Sequence, residues 1–209
     1  MNYKRFSLFA AMAALTVLAI RSPQSQAKPR MSPLDILVAK DEIREQFGRY
    51  TLLLDGDGLT KDPDKWAEEL FTADATFQSI GPEGQLLHGP TGLQGRAEVA
   101  KTFGGAPRSS SSNRPPADPA RPQMVFRHYP VTVVFDALAP DSAETRTTTI
   151  IMTGPRNYIA PSPPTVSPAL VVYHDSWRKT PEGWKKSKSV LRYTTCTGTC
   201  AAYMQRQQP

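Results

Sequence analysis

Apolar residues recur at Ile36, Ile43, Phe47, Tyr50 and Leu54, so one stripe of a helix faces a core over residues 33–54. Ser32-Pro33-Leu34-Asp35 supplies the start: a hydroxyl at the N-cap, proline at the first helical position and an acid in the first turn. Asp55-Gly56-Asp57-Gly58 ends it. Asp62-Pro63 opens a second, short helix carrying Trp66 and Leu70, and a turn and strand follow over Phe71–Ser79. A glycine-rich hairpin region, 81–92, precedes a third helix from about Gly95 to Phe103. Four strand-like runs then occupy 124–137, 142–153, 169–179 and 183–194, with Pro181-Glu182-Gly183 as a tight turn before the last. Helices followed by a run of antiparallel strands predict an α+β fold, a strongly bent sheet wrapped around a long N-terminal helix and two shorter ones.

Composition changes this picture in two places. Half of the 20 prolines fall in 104–123 and 154–168, which reads as two proline-rich loops inside one domain over 32–195. Residues 28–31 are a flexible lead-in and 196–209 a C-terminal tail. The second place is the N-terminus. A basic start (Lys4, Arg5), an apolar run from Phe6 to Ile20 and Ser25-x-Ala27 have the form of a signal peptide over 1–27, cleaved after Ala27. Fifteen apolar residues are short for a bilayer core of roughly 30 Å. A secreted or periplasmic chain with no membrane segment after cleavage is the expectation.

Charge excludes one class of partner. The chain has 25 Lys and Arg against 19 Asp and Glu, and the remainder after the leader carries 22 against 19, a net +3. No basic stripe interleaved with aromatics is present, so nucleic acid is not expected. The two cysteines, Cys196 and Cys200, are close enough for a local disulfide in an exported protein, with Gly198 easing the turn. Two thiols without a nearby histidine make an incomplete metal set. Asp55-Gly56-Asp57-Gly58 likewise lacks a calcium loop's fifth and sixth positions, where Leu59 and Thr60 stand. No zinc spacing, phosphate loop or nucleophile elbow occurs, and a site without metal or cofactor is the economical expectation.

Five strings in order resemble the SnoaL-like branch of the nuclear-transport-factor-2-like superfamily. They are Glu42-Ile-Arg-Glu-Gln-Phe-Gly-Arg-Tyr50, Trp66-Ala-Glu-Glu-Leu-Phe-Thr-Ala-Asp-Ala-Thr-Phe77, Gly95-Arg-Ala-Glu-Val99, Arg127-His128, and Tyr173-His-Asp-Ser-Trp-Arg178 before Glu182-Gly-Trp184. The resemblance spans residues 33–194 and implies a cone-shaped α+β fold with a mostly apolar pocket. The fold hosts many chemistries, scytalone dehydratase, ketosteroid isomerase and polyketide cyclases among them, and non-enzymes too. Homodimers through an open sheet face are common in it.

The resemblance also implies a site. Asp55 and His128 match the aspartate at the end of the first helix and the strand histidine with which scytalone dehydratase moves a proton. An imidazole suits such work, and a carboxylate fixes its tautomer. The tyrosine that precedes the aspartate in that family is Leu54 here. Tyr50 matches the tyrosine that donates to a developing enolate in ketosteroid isomerase, and Asp175 matches that enzyme's protonated aspartic acid. That isomerase's general base falls at Ser79, which needs a partner to move a proton. Phe47, Phe126, Tyr173 and Trp177 are the expected apolar lining. Plainer readings stand beside these: Tyr50 as a core tyrosine, Asp55 as a turn residue, His128 bonded to backbone, Asp175 paired with Arg178, Arg192 or a lysine on the outer surface. His174 should face outward, and His88, beside Gly89-Pro90, should be solvated. Together these point to an acid/base lyase, isomerase or cyclase on a small apolar cyclic molecule, or to a binding protein for such a ligand.

Overall fold

Ser32 starts the first helix by the chemistry its sequence predicts. In the computed structural model, which describes residues 30–55, 63–103, 124–155 and 167–198, its hydroxyl accepts the backbone N–H of Asp35 at 3.1 Å. The Asp35 carboxylate accepts the Ser32 N–H at 3.2 Å in return. This capping box satisfies two otherwise orphaned donors, and α1 runs over Pro33–Leu54. Ala39, Ile43, Phe47 and Tyr50, three or four residues apart, are its buried stripe. Each large apolar side chain so covered contributes about 1.5–3 kcal/mol.

The remaining elements are α2 (Pro63–Leu70), β1 (Phe71–Ile80), β2 (Leu93–Gln94), α3 (Arg96–Phe103), β3 (Met124–Leu138), β4 (Ser142–Pro155), β5 (Ser167–Thr180) and β6 (Gly183–Cys196). They form the three helices and curved α+β sheet expected. The six strands lie in the order β2-β1-β6-β5-β4-β3. One difference is topological: β1 pairs with β6 in parallel, so the sheet is mixed rather than wholly antiparallel. A parallel neighbour arises because the chain crosses from β1 through α3 and three long strands before β6 returns beside it. The signal-peptide region, 104–123, most of the second proline-rich loop and Cys200 lie outside the described residues. Among the described residues no helix is long and apolar enough to cross a membrane.

Alternation along β4 and β5 selects the concave face. Ala143, Thr145, Thr147, Thr149, Ile151 and Thr153 are buried on β4, and Ser167, Ala169, Val171, Tyr173, Asp175 and Trp177 on β5. Side chains two apart share a face of a strand, and paired residues on neighbouring strands share it too. The pairing therefore sorts the concave face into rows. Phe135, Thr145, Asp175, Ser189 and Phe77 form one; His128, Ile151, Ala169 and Cys196 form another nearer the far end. Helix α1 lies against this face, with Phe47 and Tyr50 in edge-to-face contact with Tyr173 at 5.2 and 5.9 Å between ring centres.

Candidate functional site

Asp55 is the C-cap of α1, and His128 lies near the start of β3. The Asp55 carboxylate takes two hydrogen bonds from one residue: the backbone N–H of His128 at 2.8 Å and its ring Nδ1 at 2.5 Å. The Arg127 guanidinium donates to the Asp55 carbonyl at 2.6 Å, so the end of the helix is tied to the strand three times. Only 5% of the Asp55 side chain and 9% of the His128 side chain are exposed. A carboxylate only accepts, so Nδ1 faces it as the donor, and in the neutral form of the ring Nε2 carries the lone pair. The neutral imidazole is thereby held in one tautomer with its basic nitrogen directed away from the acid.

A cleft of about 300 Å³ lies between α1 and β3, and neither Asp55 nor His128 is among the residues that line it. Arg44, Phe47 and Gly48 of α1 line one side and Pro130, Val131, Thr132 and Val133 of β3 the other. Pro130 is two residues from His128. Gly48 is seven residues from Asp55, roughly 10 Å along a helix axis. The lining is mostly apolar, with the Arg44 guanidinium at the edge, stacked 5.4 Å from the Phe135 ring centre.

Tyr50 and Asp175 belong to a different cluster. The Asp175 carboxylate is fully buried and lies 2.9 Å from the equally buried ammonium of Lys186. This contact is a charge pair rather than an aligned hydrogen bond. Its other oxygen accepts the Ser189 hydroxyl at 2.5 Å. Four rings surround the lysine: Tyr50 at 3.9 Å, Phe47 at 4.5 Å, Tyr173 at 5.2 Å and Trp177 at 5.3 Å from Nζ to ring centre. Burial pushes the lysine below its ordinary pKa, against the pull of Asp175. Burial drives the Tyr50 and Tyr173 hydroxyls well above the usual phenol value.

Asp175 is thus salt-bridged, a setting other than the lone carboxylic acid expected of an oxyanion hole. It also stands six residues along β5 from Ala169, the position in register with His128, a separation of roughly 20 Å at 3.3 Å per residue. The structure brings Asp55 and His128 together and leaves Tyr50 and Asp175 apart from them. Of the expected lining, Phe47 reaches both the cleft and the lysine cage, whereas Tyr173 and Trp177 line only the cage. The side chain of Phe126 lies outside the described residues.

Ser79, the residue in want of a partner, has one. His88 Nε2 lies 3.2 Å from its hydroxyl. His88 is half-buried rather than solvated, because the hairpin folds back on β1 through Leu87 N–H to the Ser79 carbonyl at 2.9 Å. Burial lowers its pKa. His174 is exposed on the convex face, as alternation predicts. Sequence reasoning missed Lys186 entirely; the signal for it was an aspartate written into an apolar strand, since a buried carboxylate demands a buried cation. Among the described residues no group of three His, Cys, Asp or Glu side chains is placed to hold a metal ion.

Comparison with known proteins agrees with this architecture. The model of the SnoaL-like domain matches residues 35–190. No curated protein is similar enough to match. Among solved structures, a candidate scytalone dehydratase from Novosphingobium aromaticivorans is 19% identical, covering 79% of this chain and 91% of its own, with a TM-score of 0.54. A type 3 hexachlorocyclohexane dehydrochlorinase from Novosphingobium barchaimii is 15% identical over 79% and 93%, at 0.54. The Kfla4162 protein of Kribbella flavida is 15% identical over 82% and 99%, at 0.56. At these identities the likeness is one of fold.

Proposed function

This chain belongs to the SnoaL-like domain family, and we propose that it is an acid/base enzyme that needs no cofactor and acts on a small, largely apolar cyclic molecule. The observation that carries the reading is the Asp55–His128 pair. His128 Nε2 takes a proton from an acidic C–H of the substrate, and the imidazolium that forms is stabilised by the Asp55 carboxylate at its other nitrogen. The same Nε2 returns the proton to a leaving hydroxyl in a dehydration, or to another carbon in an isomerisation. The cleft between Phe47 and Pro130–Val133 holds the apolar body, and its volume is at the small end for ligand sites. Two structural neighbours carry names of elimination enzymes, a dehydratase and a dehydrochlorinase, which is consistent with this chemistry.

A binding protein without turnover is the second reading. Tyr50 and Asp175, the two expected enolate-stabilising donors, are committed to the lysine cluster, so the dyad lacks their help. In either reading we infer an exported mature chain, cut after Ala27, with Cys196 and Cys200 bridged.

The test uses 2-tetralone, a bicyclic apolar ketone with acidic α-hydrogens, in D2O. A proton-transfer enzyme accelerates loss of the α-proton NMR signal above the buffer rate. Binding of the ketone with no acceleration supports the second reading, and neither binding nor acceleration contradicts both.

A further inference from the structure

The Ser79–His88 pair is one polar feature of the concave face that the chemistry of Asp55 and His128 leaves unused. Ser79 is in register with Leu191, and through it with Tyr173 and Thr147, all buried, so its side chain faces inward; 4% of the residue is exposed. His88 meets it from the hairpin, with its ring edge-on to Phe77 at 5.8 Å and to Phe103 at 5.6 Å between centres. Phe77 and Phe103 are themselves in contact at 4.7 Å. The result is one hydroxyl and one imidazole set in an aromatic wall.

A purely structural role for the pair is redundant. The hairpin is already fastened to β1 by Leu87 N–H to the Ser79 carbonyl and by the Gln78 side-chain amide to the Gly89 carbonyl at 2.9 Å. Its turn is closed by Gly81 N–H to the Gln85 carbonyl at 2.8 Å. Among the described residues, His88 Nδ1 has no partner, so nothing fixes the tautomer. The contact with Ser79 therefore works in either sense. With the proton on Nδ1, Nε2 accepts the serine hydroxyl and the serine oxygen is free to accept another. With the proton on Nε2, the ring donates and the serine hydroxyl is free to donate. A ligand group that both gives and takes a hydrogen bond matches this, and the aromatic wall matches a flat apolar body.

We propose that Ser79, poised by His88, is a second polar site that anchors a hydroxyl group of a flat, mostly apolar ligand on β1, four strands across the sheet from β3. The proposal rests on the reading that the concave face takes such a ligand. It adds the recognition element: a hydroxylated ring is preferred to the bare hydrocarbon. Burial lowers the proton affinity of His88, which favours the neutral ring and with it both tautomers.

Titration with 2-naphthol and with naphthalene tests it. The wild-type protein is expected to bind 2-naphthol about 3- to 10-fold tighter than naphthalene, the weight of one hydrogen bond. Ser79→Ala and His88→Phe are each expected to bring that ratio close to one. A wild-type ratio of one, or a ratio that survives both substitutions, overturns the proposal while the apolar-ligand reading stands. Failure of both compounds to bind overturns the two together. A second measurement needs no variant: the 15N signal of His88 Nε2 in the wild-type protein is expected to shift with 2-naphthol and not with naphthalene, and no shift overturns the assignment.

Discussion

The Lys186 ammonium lies 2.9 Å from the Asp175 carboxylate, and neither side chain touches solvent. Such a pair is costly to form and costlier to break, since removing one partner strands the other charge in an apolar site. Lys186→Met is expected to destabilise the fold by about 3–5 kcal/mol, and Asp175→Asn by a similar amount. The double variant Lys186→Met with Asp175→Leu is expected to recover most of that loss. Urea unfolding of the three proteins measures the coupling; strictly additive losses would refute the buried pair as the seat of this cost.

Alkaline pH acts on the same cluster through its tyrosines. Tyr50 and Tyr173 hold their protons above the ordinary value of 10.0, where the unfolded chain releases them. Their contribution is therefore whole below about pH 10 and is lost as pH rises beyond it. Lys186 has the opposite sign: its lowered value means that stability rises as pH approaches the ordinary 10.5. In a Lys186→Met background the unfolding free energy is expected to fall above about pH 10, and adding Tyr173→Phe is expected to shallow that fall. Unfolding curves between about pH 8 and pH 11 show it.

Gly92 holds the hairpin that carries His88. It has a φ of 69°, and a side chain there would place Cβ 2.5 Å from the Phe77 carbonyl oxygen. Gly92→Ala combines a left-handed backbone with a clash against a buried strand, and more than about 1 kcal/mol of destabilisation is expected. Thermal melting reads the loss, and a neutral result would mean that the hairpin is free to move away from β1.

Asp55 holds both the backbone and the ring of His128. Asp55→Asn keeps its shape but loses the charge and can present an N–H to Nδ1. The wrong tautomer follows, and proton-transfer activity is expected to drop by about 10²–10⁴-fold. The stability cost is expected to be about 1–3 kcal/mol, that of weakened hydrogen bonds in a mostly buried site. A His128 ring 15N spectrum checks the mechanism: the variant is expected to move the proton from Nδ1 to Nε2.

Most of the fold was legible because local signals agree with the tertiary structure. The Ser32 N-cap with an acid in the first turn, the Ile43–Phe47–Tyr50 stripe and the alternation along β5 each appear where the pattern of residues places them. The parallel pairing of β1 with β6 was not legible, because it joins segments more than 100 residues apart and leaves no local trace. Asp55 and His128 were legible only through resemblance; nothing local joins a helix C-cap to a strand 73 residues on. Lys186 was hidden because Lys185, Lys186 and Lys188 crowd one strand and plain alternation does not tell which of them turns inward. A register irregularity between Ser176 and Trp177 turns Lys186 inward to pair with Trp177. His88 was misjudged because a glycine- and proline-flanked histidine reads as loop, whereas its hairpin lies along β1.

The measurement that bears most directly on the account is 2-tetralone α-proton exchange in D2O by the wild-type protein and by His128→Ala, with folding of the variant verified by its melting curve. Exchange well above buffer is expected for the wild type, with a loss of at least about 100-fold on removing the imidazole. Equal rates for the two folded proteins would contradict the assignment of His128 as the group that moves the proton.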